Sequence, residues 1–145
     1  MQSVTVERLT TATARDAERI SLLLEQLGAK DGCPLGRLLQ VVAEERNMLL
    51  VVRGENGAID GMLTLVRDTL TSGDKYRIED VVVDNACRGR GIGRALVAEA
   101  LRLTASQTPH AKIFLTSNPL RTAARALYLS MGFGEYDTGV FRMEL

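Results

Sequence analysis

The sequence is poor in the residues that carry several familiar chemistries. It has one histidine, His110, so it cannot build a zinc site that needs two, such as HExxH. Cys33 and Cys87 stand 54 positions apart and make neither a CxxC half-site nor a disulfide framework, so they read as reduced thiols. Tryptophan is absent, and three Tyr and three Phe leave few rings for stacking on bases. The longest apolar run, Met48 to Val52, is far short of a membrane span. The opening residues Met1-Gln2-Ser3-Val4-Thr5-Val6-Glu7-Arg8 lack the basic and apolar regions of a secretory signal. An excess of one charge is missing too, since 18 Lys+Arg balance 18 Asp+Glu. That balance argues against a general polyanion binder. These absences predict a cytoplasmic protein with no metal centre, no nucleic-acid partner and no membrane partner.

What remains is an ordinary soluble composition, 46% hydrophobic and 25% charged over 145 residues. It predicts a single domain spanning 1–145, long enough to bury a core without staples. The neutral total conceals a gradient. Residues 1–84 carry ten basic and fourteen acidic side chains, a net −4, whereas residues 85–134 carry seven basic ones against Glu99 alone, a net +6. The last eleven residues return to −2. A basic block of fifty residues, almost free of carboxylates, is a place for one compact anion.

Hydrophobic periodicity divides the chain into elements. Val4 and Val6 alternate with polar residues and predict a short strand over about 3–9. Thr13 or Thr11 can cap a helix carrying Ala17, Ile20, Leu23 and Leu27 on one face, with Gly28 as its stop. Pro34 can open a second helix to about 46. Strands follow at Met48–Val52, Ala58–Leu70 and Tyr76–Asp84, separated by Gly-containing turns. Helical spacing returns over about 91–106, a short strand over Ala111–Thr116, and a helix carrying Leu120, Ala123, Ala124, Leu127, Tyr128 and Met131. Asn118-Pro119 reads as the start of that last helix and Gly132 as its stop. Short strands to about 138 and from Val140 to Glu144 complete an α/β order β-αα-βββ-α-β-α-ββ with a mixed sheet.

The most informative stretch is Cys87-Arg88-Gly89-Arg90-Gly91-Ile92-Gly93-Arg94, which joins a Val-rich strand to a helix. Glycines allow a ligand to approach the backbone, a helix N-terminus offers free N–H groups, and arginines add forked donors. The combination suits a phosphate or pyrophosphate. A Walker A loop would need Gly-Lys-Ser/Thr, which is absent. A dinucleotide fingerprint would need a third glycine where Arg94 stands, and an acidic residue about 20 positions on.

Arg88-Gly89-Arg90-Gly91-Ile92-Gly93 resembles the Q/R-x-x-G-x-G/A signature of the GNAT superfamily of N-acetyltransferases. Asn118 and the segment Ala124-Arg125-Ala126-Leu127-Tyr128-Leu129-Ser130-Met131-Gly132-Phe133 are similar to that family's N…A-x-x-LY-x-x-x-GF segment. Ile78-Glu79-Asp80-Val81-Val82-Val83 is similar to its central strand. The resemblance implies a mostly antiparallel central sheet flanked by helices. It also implies direct transfer of an acetyl group from acetyl-CoA to a primary amine of a small molecule or peptide, without a metal.

The implied roles have physical sense. An alkyl ammonium, pKa about 10.4, must lose a proton before it attacks. Glu79 is the first candidate base and Asp80 the second; alternation along a strand turns only one of them to the cleft unless a bulge intervenes. Tyr128, a phenol protonated at neutral pH, is the candidate acid for the departing thiolate. By resemblance, the backbone of Val81, Val82 and Val83 would meet the acetyl and pantetheine groups, Arg88, Gly89, Arg90, Gly91, Ile92, Gly93 and Arg94 the pyrophosphate, and Asn118 the cofactor or the chain near it. A homodimer through terminal strands is a further implication. Two other readings of the same fold are a CoA-binding regulatory module without catalysis and an acyltransferase using another acyl donor.

Overall fold

A computed structural model describes residues 3–145. Its architecture follows from strand alternation. In β2 (Asn47–Arg53) all five residues from Met48 to Val52 are buried, so both faces of the sheet are covered. Met48, Leu50 and Val52 face one core, and Leu49 and Val51 face another. The second core is closed by α1 (Ala14–Gln26) and α2 (Leu35–Ala43) through Ala17, Ile20, Leu23 and Leu38. The first is closed by α3 (Ile92–Gln107) and α4 (Thr122–Ser130) through Ile92, Leu96, Val97, Ala100 and Tyr128.

Five strands lie in chain order across the sheet: β1 (Glu7–Arg8), β2, β3 (Ile59–Leu70), β4 (Gly73–Val83) and β5 (Lys112–Phe114). The first four pair antiparallel and β4 pairs β5 in parallel. The mixed, mostly antiparallel sheet flanked by helices is the architecture that the sequence predicts. Thr13 caps α1 with a reciprocal bond to Asp16, a capping box, and Pro34 stands immediately before α2.

Three expectations are corrected. The first strand is only Glu7–Arg8, because pairing with the β2 edge is confined to Glu7–Val51 and Arg8–Leu50. Helix α4 starts at Thr122 rather than at Asn118-Pro119. Asn118 there accepts the Leu120 N–H on its side chain (2.8 Å) and the Arg121 N–H on its carbonyl (3.0 Å), closing a separate turn ahead of the helix. Residues 134–145 form no strand. The Phe114 and Tyr136 rings meet edge to face and Arg125 pairs with Glu135, but no backbone ladder joins this segment to β5, and Phe141 is fully exposed.

Candidate functional site

The sheet opens beside β4. Parallel pairing with β5 covers only Lys75, Tyr76 and Arg77, so β4 runs from Ile78 to Val83 with no strand on that side. Asp84 N–H donates to the Asp60 carbonyl on β3 (2.8 Å). Backbone polar groups alternate along a strand, which turns those of Val83 and Val81 toward the opening. The Val83 carbonyl accepts Gln26 Nε2 (3.0 Å) and the Val81 carbonyl accepts Arg121 Nη2 (3.4 Å). Val82 faces the other way: its side chain is buried in the α1–α2 core and it pairs with Met62.

A bulge shapes the same stretch. Met62 pairs with Val82 and Thr64 with Glu79, so Asp80 and Val81 together oppose Leu63. Ile78 and Val82, four apart, would share a face in a regular strand; here they enter opposite cores. Asp80 takes a left-handed conformation at φ 51°, which Asp tolerates better than bulky residues do. The bulge brings Glu79 and Asp80, consecutive in sequence, onto one cleft. That cavity, about 160 Å³, is lined by both carboxylates together with Leu27, Thr116, Arg121 and Tyr128, among others.

The two carboxylates sit in different surroundings. Glu79 is held by Arg77 Nη1 at 3.0 Å and is half-exposed. Asp80 has no ion-pair partner among the described residues. It is open to solvent on one side and recessed into the cleft on the other. Desolvation, and then the Glu79 charge, push its carboxyl above the usual Asp value. Tyr128 is buried from the α4 side, with Phe133 edge to face at 6.0 Å, and burial raises its phenol above its ordinary value while the Arg121 charge opposes the rise. The chain reversal that stacks Phe133 there begins at Gly132, whose φ of 100° ends α4.

The glycine loop continues from β4 through a short 3₁₀ turn, Asn85–Cys87. Gly89 and Gly91 have φ of 80° and 79°, conformations that side-chain-bearing residues rarely adopt, and Gly91 caps α3 without a side-chain bond. The first-turn amides of α3 have no intrahelical acceptor and face outward with the positive end of the helix. Arg88 and Arg90 are exposed and hold no carboxylate among the described residues. Arg94 donates to Ser130 Oγ (2.9 Å), tying the loop to α4. Gly93 allows α3 to approach α4, since a Cβ there would stand 3.3 Å from Leu127. Ile92 is a core residue, so only its amide can serve the loop.

The structure therefore brings Glu79, Asp80, Val81 and Tyr128 to one cleft and sets Arg88–Arg94 on the adjoining helix start. Asn118 is exposed in the β5–α4 connection, where its side chain closes the turn. Burial, reinforced by Asp60 and Asp84, raises the Cys87 thiol, which makes a poor nucleophile. From sequence alone Arg121 reads as solvated helix surface; in the structure it lines the cleft from the N-cap of α4. One residue escaped the sequence reading. Gln26 bridges the end of α1 to the Val83 carbonyl and the Asn85 N–H, and nothing local in the sequence marks it. Among the described residues no helix is long and apolar enough to cross a membrane, and no group of three or more His, Cys, Asp or Glu could hold a metal ion.

N-alpha-acetyltransferase RimI of Mycobacterium tuberculosis is 32% identical over 133 residues, covering 91% of this chain and 79% of the relative. The fold matches that of glucosamine-6-phosphate N-acetyltransferase from Arabidopsis thaliana, with a TM-score of 0.80 at 18% identity over 98% of this chain and 99% of that one. An acetyltransferase from Trypanosoma brucei matches with a TM-score of 0.78 at 23% identity, over 99% of this chain and 100% of the other. A family model described as the acetyltransferase (GNAT) family matches residues 14–133. With the splayed β4, the glycine-rich start of α3 and this match over most of its length, the chain belongs to the acetyltransferase (GNAT) family.

Proposed function

We propose that the protein transfers an acetyl group from acetyl-CoA to a primary amine by direct attack in the β4–β5 opening. The observation that carries this reading is the free side of β4. There the Val81 and Val83 backbone groups, met by side chains alone, can pair an extended pantetheine arm as a strand would. The glycine loop fits a pyrophosphate by its chemistry: free helix-start amides, two left-handed glycines and two arginines without carboxylate partners.

In the reaction the amine nitrogen bonds to the thioester carbon, the C–S bond breaks, and its electron pair leaves on sulfur. The ammonium first gives one proton to a carboxylate of the cleft, which releases it to solvent; after the attack the nitrogen gives up a second proton and sulfur receives the Tyr128 proton. The products are the acetamide and free CoA thiol, and Tyr128 is reprotonated by the second proton. Between the two carboxylates, the surroundings favour Asp80 as proton acceptor. Desolvation holds its carboxyl above the ordinary Asp value and no cationic partner among the described residues engages it, whereas Glu79 is engaged by Arg77. Glu79 then supplies the neighbouring charge that attracts an ammonium.

The net −4 of residues 1–84 favours a cationic acceptor, and the name of the Mycobacterium tuberculosis relative favours the α-amine of a peptide over other amines. We read the chain as one domain and as cytoplasmic. We also read it as a homodimer in which the exposed Val140, Phe141 and Met143 pair with the free edge of β5.

A thiol-release assay with acetyl-CoA and a panel of peptide and small-molecule amines tests the reading. Amine-dependent release supports it. Tight CoA binding without release would favour a regulatory module, and release from longer acyl donors alone would favour another acyltransferase.

A further inference from the structure

Several arginines hold no carboxylate among the described residues, whereas Arg19, Arg53, Arg67, Arg77, Arg102 and Arg125 each hold one. Arg121 does not, although Glu79 and Asp80 line the same cleft. Among the described residues it is the one cationic side chain in that lining. From the N-cap of α4 its guanidinium crosses the opening to the Val81 carbonyl (3.4 Å), using one of five N–H donors. An arginine spanning a gap in a sheet, with its charge left unneutralised, is placed to act on negative charge that forms only during a reaction.

We propose that Arg121 is a positioning residue for acetyl transfer: anchored on Val81 across the opening, its guanidinium assists Tyr128 in giving its proton to the departing sulfur. The assignment rests on the proposed function above. When sulfur takes the Tyr128 proton, a phenolate is left in a buried setting that disfavours charge. Burial raises the Tyr128 pKa, and the Arg121 charge is the influence that lowers it. The phenolate then regains the proton that the nitrogen gives up after the attack, and the proton the ammonium lost beforehand goes to solvent, so protons and electrons balance.

Arg121→Met and Arg121→Lys in the full chain test this with two readouts. In the first, phenol ionisation is followed by ultraviolet absorbance, with the Tyr128 component isolated by subtracting the Tyr128→Phe titration. The Met variant should titrate at higher pH and the Lys variant close to the parent. In the second, steady-state kinetics should give kcat about tenfold lower for Met, KM for acetyl-CoA within about twofold, and most of the rate restored by Lys. Turnover with an unmoved Tyr128 titration, or a rise in KM with kcat unchanged, overturns the assignment alone. No turnover by the parent protein with any amine overturns the function on which it rests, and the assignment with it.

Discussion

Charge is handled in opposite ways at the two ends of the β-sheet. Around β1, β2 and α1, Arg53 holds both Glu7 (2.6 Å) and Asp16 (2.8 Å), and Asp16 also closes the α1 capping box. Around the β4–β5 opening, Asp80, Arg121, Arg88 and Arg90 carry charges with no ionic partner among the described residues, within one cleft and the loop beside it. The first arrangement stabilises a fold. The second leaves groups poised for a ligand, and the strained Asp80 backbone at φ 51° belongs to it. What sets the opening apart is that unpaired charges of both signs meet there in one cleft.

The largest effects should come from the unpaired end. Asp80→Asn and Tyr128→Phe should each lower kcat by about 10²-fold in the thiol-release assay, with the protein still folded. Full activity in both would show that the unpaired groups are not the chemical ones. Asp80→Asn should also raise the melting temperature. Because the native state raises the Asp80 pKa, that state binds its proton more tightly than the unfolded chain, and the ionised side chain opposes folding above the raised pKa. The gap between parent and variant should therefore close as pH falls below about 4, the ordinary Asp range.

The paired end should behave in the reverse sense. Asp16→Ala should cost about 2–3 kcal/mol in chemical denaturation, because it breaks a largely buried pair and the α1 cap together. Arg53 holds the Asp16 carboxyl below its usual value, so this stabilisation is present above about pH 4 and is lost as pH falls through the lowered pKa. A smaller effect, about fivefold weaker acetyl-CoA binding in calorimetry, is expected for Arg88→Ala or Arg90→Ala, and it should fade at high salt. Least of all, Arg102→Ala removes an exposed pair with Glu99 on α3 and should leave melting temperature and rate unchanged.

Much of the fold was legible because its signals are local. The Thr13 cap, Pro34 before α2, the apolar run of β2 and Gly132 after α4 each act within a few residues of themselves. The glycine loop was legible for the same reason. What escaped depends on partners far along the chain. The Asp80–Val81 bulge exists only through its register with Leu63 on β3, so alternation alone could not decide between Glu79 and Asp80. The Arg121–Val81 and Gln26–Val83 bonds span 40 and 57 positions. Val140–Leu145 alternates as a strand should, yet alternation supplies no partner, and among the described residues this segment joins no strand ladder.

The most direct test of the central claim is the rate of CoA thiol release with an accepted amine, measured across pH for the parent protein and Asp80→Asn side by side. The account predicts a parent rate that rises with pH as Asp80 ionises, and a variant about 10²-fold slower that has lost this limb. A variant that keeps both the rate and the pH profile of the parent would contradict it.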